Sequence, residues 1–194
     1  MDQPARSLLH VPVLLALFAC ALPASAADRS APARPPVLPG TVVGVVDGDT
    51  VDVRLASGMI RIRLHGIDAP ESSQPFGQSS KAALAALVLL RDVEVEPFEQ
   101  DRYDRLVARL LLGELDVNAE MVRTGNAWTY RRYADDPAYC TYEDAARQAR
   151  IGLWRLPAEQ RAAPWEWRQR KTRGGLLTDY SAETAAACIA AMRH

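Results

Sequence analysis

Residues 41–64 read TVVGVVDGDTVDVRLASGMIRIRL and contain three runs that are typical of β-strands. Apolar residues alternate with Asp52 and Arg54 in the second run, and with Arg61 and Arg63 in the third. A period of two places apolar side chains on one face of a strand and polar side chains on the other. An Asp-Gly pair and a Ser-Gly pair separate the runs, as in tight turns. This stretch therefore predicts three consecutive strands, each with one face in a core.

Further along the chain, the pattern changes between helix and strand. Residues 81–90, KAALAALVLL, are apolar nearly all round a helix, which is typical of a buried helix. The later elements are expected in this order: a strand over 93–96, a hairpin over 107–117, and helices over 143–150 and 182–192. Five strands, with one helix among them and others after them, predict an α+β fold in which helices pack on a small barrel.

The first 26 residues have the composition of a signal peptide. Arg6 precedes an apolar run over residues 11–19 that is too short to span a membrane, which takes roughly 20 residues. The small residues that end at Ala26 are typical of a cleavage site. We therefore expect export, to the periplasm or the medium, with cleavage after Ala26. The alternative is a lipoprotein anchored at Cys20. No later segment is long and apolar enough to span a membrane.

The remaining chain divides into three parts by composition. Residues 27–39 are rich in proline and small residues, which is typical of a flexible linker. The predicted barrel domain covers residues 40–168. Residues 169–194 are expected to form a C-terminal tail that contains a helix.

Removal of the signal peptide leaves two cysteines, Cys140 and Cys188. In an oxidising compartment, two cysteines allow only one intramolecular pairing, and we expect that disulfide. The alternative is two unpaired buried thiols. The chain has no CxxC spacing and only three histidines, so the sequence does not favour a structural zinc site.

The charge of the chain is balanced, with 23 Lys and Arg residues against 24 Asp and Glu residues. Such a chain does not bind nucleic acid through its overall charge. Any phosphate binding must therefore come from a local cluster of residues.

Three short segments combine carboxylates or arginines with turn residues. They are DGDT at 47–50, RLHGIDAPE at 63–71 and DRYDR at 101–105. Their order and spacing resemble the staphylococcal-nuclease-like (thermonuclease) family, and PWEW at 164–167 is similar to the end of many bacterial members. The resemblance covers about residues 41–168. It implies a five-stranded OB-fold barrel with packed helices, and calcium-dependent cleavage of DNA and RNA that leaves 3′-phosphates and 5′-hydroxyls.

Asp49 and Asp68 are candidate metal ligands. Carboxylate oxygens are hard ligands, which suit calcium or magnesium better than zinc. The resemblance adds the backbone carbonyl of Ala69 and implies one Ca²⁺ ion, with waters and a substrate phosphate completing its shell. The alternative is that Asp49 only caps a turn and Asp68 only precedes a loop.

Three further residues are candidates for catalysis: Arg63, Glu71 and Arg105. Glu71 follows Asp68 by three residues, so it can reach a metal-bound water as general base without filling the shell of the metal. By the resemblance, Arg63 and Arg105 are the catalytic arginines, whose planar forks bind two phosphate oxygens and keep their charge. The alternatives are an exposed loop carboxylate for Glu71 and ordinary surface arginines for the other two.

Three tyrosines are candidates for substrate binding, and one residue departs from the family pattern. Tyr103, Tyr130 and Tyr133 are of a type that stacks on bases or bonds phosphate, although packing alone would also explain them. Many family members have glycine where this chain has Asp104. Asp104 either pairs with Arg105 and weakens catalysis, or faces solvent.

The candidate residues, taken together, predict an exported, calcium-dependent nuclease that acts on DNA and RNA. Low sequence specificity is expected, because the expected contacts are to phosphate rather than to base edges. We expect a monomer with no protein partner. Two alternatives stay open: a non-catalytic OB-fold module that binds nucleic acid, and a calcium-stabilised structural domain of the cell envelope.

Overall fold

The structure is a computed structural model and describes residues 36–173 and 178–192. The predicted signal peptide and most of the predicted linker lie outside the described residues. Within these ranges the strands are β1 (Leu38–Val45), β2 (Thr50–Leu55), β3 (Gly58–Leu64), β4 (Ile67–Asp68), β5 (Asp92–Gln100), β6 (Leu106–Leu112), β7 (Leu115–Asp116) and β8 (Trp128–Thr129). The α-helices are α1 (Gly77–Val88), α2 (Val117–Arg123), α3 (Ala138–Gln148), α4 (Pro164–Arg173) and α5 (Ala185–Ala191). Each helix in the described ranges is too short or too polar to cross a bilayer.

Five of the strands close into a barrel. Strand β1 pairs with β2 and β5, β2 pairs with β3, and β5 pairs with β6, and all of these pairs are antiparallel. Strand β3 then pairs in parallel with β6, which sets Arg63 opposite Val107 and closes the ring. The predicted α+β fold, an OB-fold barrel with packed helices, is therefore confirmed.

The alternating pattern of β2 and β3 fills the barrel in the predicted way. Val53, Ile62 and Leu64 are at most 1% exposed, whereas Arg54 and Arg61 on the other face are exposed. Burying an aliphatic side chain of this size contributes about 1.5–3 kcal/mol. Arg61 of β3 therefore lies on the solvent-facing wall of the barrel.

A second apolar cluster packs α4 against β8. The ring of Trp128 lies 4.6 Å from that of Trp154, 5.8 Å from that of Trp165 and 5.4 Å from that of Tyr180. Edge-to-face pairs of this kind contribute beyond the area that they bury. The start of α4 and the segment around Tyr180 are thereby fixed on the same aromatic cluster.

The C-terminal segment is joined to α3 by the predicted disulfide. Cys140 on α3 and Cys188 on α5 are bonded, and their Cα atoms are 5.7 Å apart. Glu183, in the same segment, forms ion pairs with Arg131 and Arg147. The region predicted as a tail therefore packs closely against the barrel domain.

Candidate active site

A tight turn delivers Asp49 to the start of β2. The Asp47 Oδ1 accepts a hydrogen bond of 3.1 Å from the backbone N–H of Asp49. Gly48 allows α1 to approach the turn, since a Cβ at this position would lie 1.9 Å from Ser80 Oγ. The Asp49 side chain is consequently held in a buried position, and the residue is only 5% exposed.

Arg63 lies between the two candidate metal ligands. Its Nη1 is 3.0 Å from Asp49 Oδ2, and its Nη2 is 2.9 Å from Asp68 Oδ1. The backbone N–H of Ala69 donates to Asp49 Oδ2 at 2.6 Å. The four residues that the sequence placed in one site, on two different segments, are therefore in contact in the structure.

Burial disfavours the charged forms of both carboxylates. It raises the pKa of Asp49 from 3.8 to about 8, although Arg63 acts in the opposite direction. Burial likewise raises the pKa of Asp68, against the lowering effects of Arg63 and Arg168. Two buried carboxylates in this condition gain from additional positive charge beside them.

The donor atoms at this place fit a hard cation. Asp49 and Asp68 supply carboxylate oxygens, and the carbonyl of Ala69 belongs to the same backbone segment, so the available donors are all oxygen. Across the described residues, no group of three or more His, Cys, Asp or Glu side chains is arranged to hold a metal. A cation bound here would therefore have few protein ligands and would keep several waters, as calcium and magnesium do.

Glu71 lies on the loop between β4 and α1, and that loop is held from two sides. Its backbone N–H donates to Gln74 Oε1 at 3.2 Å, and Gln74 Nε2 donates to the carbonyl of Ala162 at 2.5 Å. Gly77 lets the start of α1 approach, since a Cβ there would lie 1.9 Å from the Glu71 carbonyl oxygen. The Glu71 side chain itself is 39% exposed, so the backbone is fixed while the carboxylate stays accessible.

An arginine that the sequence argument did not select enters the site from α4. Arg168 Nη2 lies 2.8 Å from Asp68 Oδ2, and its Nη1 lies 2.8 Å from Glu71 Oε1. One guanidinium thus connects a candidate metal ligand with the candidate general base. The available signal was its position directly after PWEW, residues 164–167, which belongs to the resemblance.

Arg105 lies on the turn before β6 and is held by a different carboxylate. Its Nε and Nη2 are 2.8 Å and 2.7 Å from Asp101 Oδ2. The other oxygen, Asp101 Oδ1, accepts two backbone N–H groups of the same turn. Burial alone would raise the pKa of Asp101, but these hydrogen bonds lower it overall. Among the described contacts, none joins Arg105 to the cluster around Arg63, although Leu106 pairs with Ile62 of β3 next to that cluster.

Asp104, the departure from the family pattern, faces solvent. Its φ is 58°, in the left-handed region that glycine adopts at little cost. The residue is exposed, and Arg105 forms its ion pair with Asp101 instead. Of the two alternatives for Asp104, the structure shows the one without pairing to Arg105.

The three candidate substrate-binding tyrosines lie in two places. Tyr103 is 64% exposed on the turn that carries Arg105, whose guanidinium carbon is 5.5 Å from its ring. Tyr130 and Tyr133 follow β8, with their rings 4.7 Å apart. Burial, and then the charge of Asp68, raise the pKa of Tyr130, as expected for a phenol beside the carboxylate cluster. Tyr130 therefore borders the cluster, Tyr133 packs against Tyr130, and Tyr103 accompanies Arg105.

Comparison with known proteins agrees with this geometry. Residues 61–156 match the family described as Staphylococcal nuclease homologue. The chain is 37% identical over 180 residues to an Escherichia coli protein named Protein ParB, which covers 87% of this chain and 95% of that protein. It is 41% identical over 141 residues to a Shigella flexneri protein named Micrococcal nuclease, covering 67% of this chain and 80% of that protein. It is also 41% identical over 133 residues to a protein of Escherichia coli O157:H7 named Uncharacterized endonuclease, covering 68% and 86%. The chain therefore belongs to the staphylococcal nuclease homologue family.

Proposed function

We propose that this nuclease depends on calcium, hydrolyses the phosphodiester bonds of both DNA and RNA with low sequence specificity, and acts outside the cytoplasm. The observation that carries the proposal is the pair of buried carboxylates, Asp49 and Asp68, bridged by Arg63. Relatives named as a micrococcal nuclease and as endonucleases support the reaction class.

The cation would be held by Asp49, Asp68 and the carbonyl of Ala69. When bound, calcium supplies positive charge to the phosphate oxygens and makes a bound water more acidic. The raised pKa values of both aspartates support this assignment, because a nearby cation would favour their charged forms.

The side chains around the proposed cation site can take separate roles in the hydrolysis. Glu71 is exposed enough to meet water and would accept the proton of the attacking water as general base. Arg63 has five N–H donors, so it can contact a phosphate oxygen while it holds Asp49 and Asp68. Arg105 would bind the same phosphate from the turn before β6, which stabilises the charge that develops on the phosphoryl oxygens. Contacts to phosphate carry no sequence information, which supports cleavage of both DNA and RNA.

Export is part of the proposal. Residues 1–26 have the composition of a signal peptide. The disulfide between Cys140 and Cys188 supports export to the periplasm or the medium, because such bonds persist in oxidising compartments. N-terminal sequencing of the protein recovered outside the cytoplasm should begin at Ala27, and a chain that retains Met1 would contradict cleavage.

The proposed activity is tested by digestion of plasmid DNA and of RNA with the purified protein, in calcium and then in a chelator. We expect cleavage of both substrates in calcium only. Glu71→Gln should lower kcat by roughly 10²–10⁴ while DNA binding is retained. Glu99→Gln, at an exposed carboxylate on β5, is the matched control and should cut normally.

Undiminished cleavage in chelator would contradict calcium dependence. DNA binding without cleavage at any calcium concentration would favour the non-catalytic binding module.

A further inference from the structure

Arg168 contacts both carboxylate oxygens of Asp68, a candidate metal ligand. Its Nη2 lies 2.8 Å from Asp68 Oδ2 and its Nη1 lies 3.1 Å from Asp68 Oδ1, so the guanidinium binds the carboxylate through two contacts. Arg63 Nη2 also lies 2.9 Å from Oδ1. Asp68 is 1% exposed. A cation that binds Asp68 therefore competes with a guanidinium for its oxygens.

Of the two arginines on Asp68, Arg168 is the one that can leave. The Arg63 side chain is 13% exposed and is fixed by Asp49 and by the carbonyl of Leu64 as well. The Arg168 side chain is 41% exposed, and it reaches the cluster from its surface. Moving either arginine leaves the buried Asp68 short of a partner, which the cation would replace. The Arg168 side chain already meets solvent, whereas the Arg63 side chain is enclosed.

The helix that carries Arg168 is fixed, so displacement concerns the side chain alone. The ring of Trp165 stacks on Tyr130 with an interplanar angle of 2° and a separation of 5.6 Å. Glu166 accepts hydrogen bonds from the Tyr180 hydroxyl at 2.8 Å and from the Thr178 N–H at 2.9 Å. Trp165 and Glu166, which make these contacts, lie in the helical turn of α4 that precedes Arg168.

The charges favour such an exchange. Three carboxyl groups, those of Asp49, Asp68 and Glu71, lie around Arg63 and Arg168. When all three are ionised, a divalent cation in place of one guanidinium sets three positive charges against three negative charges.

We propose that Arg168 is a positioning residue which holds Asp68 and Glu71 in the metal-free nuclease, and that calcium displaces its guanidinium from Asp68 in order to bind. The inference rests on the proposed calcium dependence. Its consequence is that Arg168 sets the affinity of the site for the cation. In the metal-bound protein Glu71 also loses a partner and is released towards water.

The test is calorimetric titration of calcium into the complete purified protein and its variants, without substrate. Arg168→Met should lower the Kd for calcium about tenfold, within the usual range of coupling between competing ligands. Arg168→Lys keeps the charge but loses the planar fork, so its Kd should lie between those of the wild type and Arg168→Met. Arg123→Met removes an exposed arginine that pairs with Glu120 on α2, and its Kd should equal that of the wild type.

Thermal unfolding in chelator provides a second measurement. In chelator, Arg168→Met should have a lower Tm than the wild type, since Asp68 loses a partner. In excess calcium, the Tm of Arg168→Met should rise by more than the Tm of the wild type rises. An equal or higher Kd in Arg168→Met overturns this inference alone. No calcium binding by the wild type overturns the calcium assignment and this inference together. If Arg168→Met does not fold, Arg168→Lys decides, and a Kd equal to that of the wild type overturns the inference.

Discussion

Asp49 is buried at the end of the barrel with its charge opposed mainly by Arg63. This contact and the Ala69 N–H do not compensate for the loss of water, so the pKa of Asp49 is raised from 3.8 to about 8. A raised pKa in the folded state gives a stabilisation that is complete below the unfolded pKa and is lost as the pH rises through the folded pKa. Through Asp49, the metal-free protein therefore loses stability between pH 4 and pH 8.

We predict that Asp49→Asn stabilises the metal-free protein at pH 8 and has almost no effect at pH 4. Asparagine keeps the shape of the side chain but does not ionise. One pKa unit corresponds to about 1.4 kcal/mol, so a gain on the order of 3 kcal/mol in unfolding free energy at pH 8 is expected after a discount for relaxation. Thermal unfolding in chelator between pH 4 and pH 8 measures the difference.

Asp52→Asn is the matched control for this experiment. It removes a carboxylate that pairs with the exposed Arg61 on the barrel wall, and surface pairs of this kind contribute at most about 1 kcal/mol. If Asp49→Asn raised the unfolding free energy as much at pH 4 as at pH 8, the result would contradict a role for ionisation of Asp49. Calcium should stabilise the wild type but not Asp49→Asn.

At the scale of elements, the turn between β5 and β6 determines where Arg105 points. Asp101 accepts two backbone N–H groups with one oxygen and the Arg105 side chain with the other. The same carboxylate therefore shapes the turn and orients the guanidinium. Asp104, three residues later, does neither.

We predict that Asp101→Ala lowers kcat/KM for DNA about tenfold, because Arg105 loses the contact that orients it and small misplacements of catalytic groups are costly. Asp104→Gly is the matched variant in the same turn. It should leave kcat/KM nearly unchanged and should raise the unfolding free energy by about 1 kcal/mol, since glycine adopts positive φ without strain. An increase of kcat/KM in Asp101→Ala would instead mean that Asp101 withholds Arg105 from the substrate.

The elements also show what could be predicted from the sequence. The alternation in β2 and β3 predicted strands with one buried face. The resemblance to the family, rather than the alternation, predicted that Asp49, Arg63 and Asp68 share one site. The pairing of Asp101 with Arg105 follows an i, i+4 spacing that is visible in the sequence. Arg168 could not be placed, because its position depends on the packing of α4 against distant aromatic residues.

At the scale of the whole molecule, the C-terminal segment is an integral part of the fold. Glu183 contacts Arg131 and Arg147, and both arginines also contact the buried Glu143. The disulfide of Cys188 lies in the same segment. The residues after the matched family region therefore stabilise the helices that surround β8.

We predict that replacing both disulfide cysteines, Cys140→Ser with Cys188→Ser, lowers the unfolding free energy by about 2–4 kcal/mol. Denaturant unfolding of the oxidised wild type and of the double variant measures the loss. A reducing agent should destabilise the wild type by a similar amount and leave the double variant unchanged. Equal stability of the oxidised and reduced wild type would contradict the prediction.

The position of this disulfide along the chain has a consequence for the active site. Cys140 and Cys188 are 48 residues apart, and α4 with Arg168 lies between them. When the protein unfolds in an oxidising compartment, this part of the chain stays a closed loop. The effective concentration of α4 near α3 then stays on the order of millimolar, as for short tethers. The disulfide therefore keeps α4, which carries Arg168, close to α3 in the unfolded chain as long as the bond is intact.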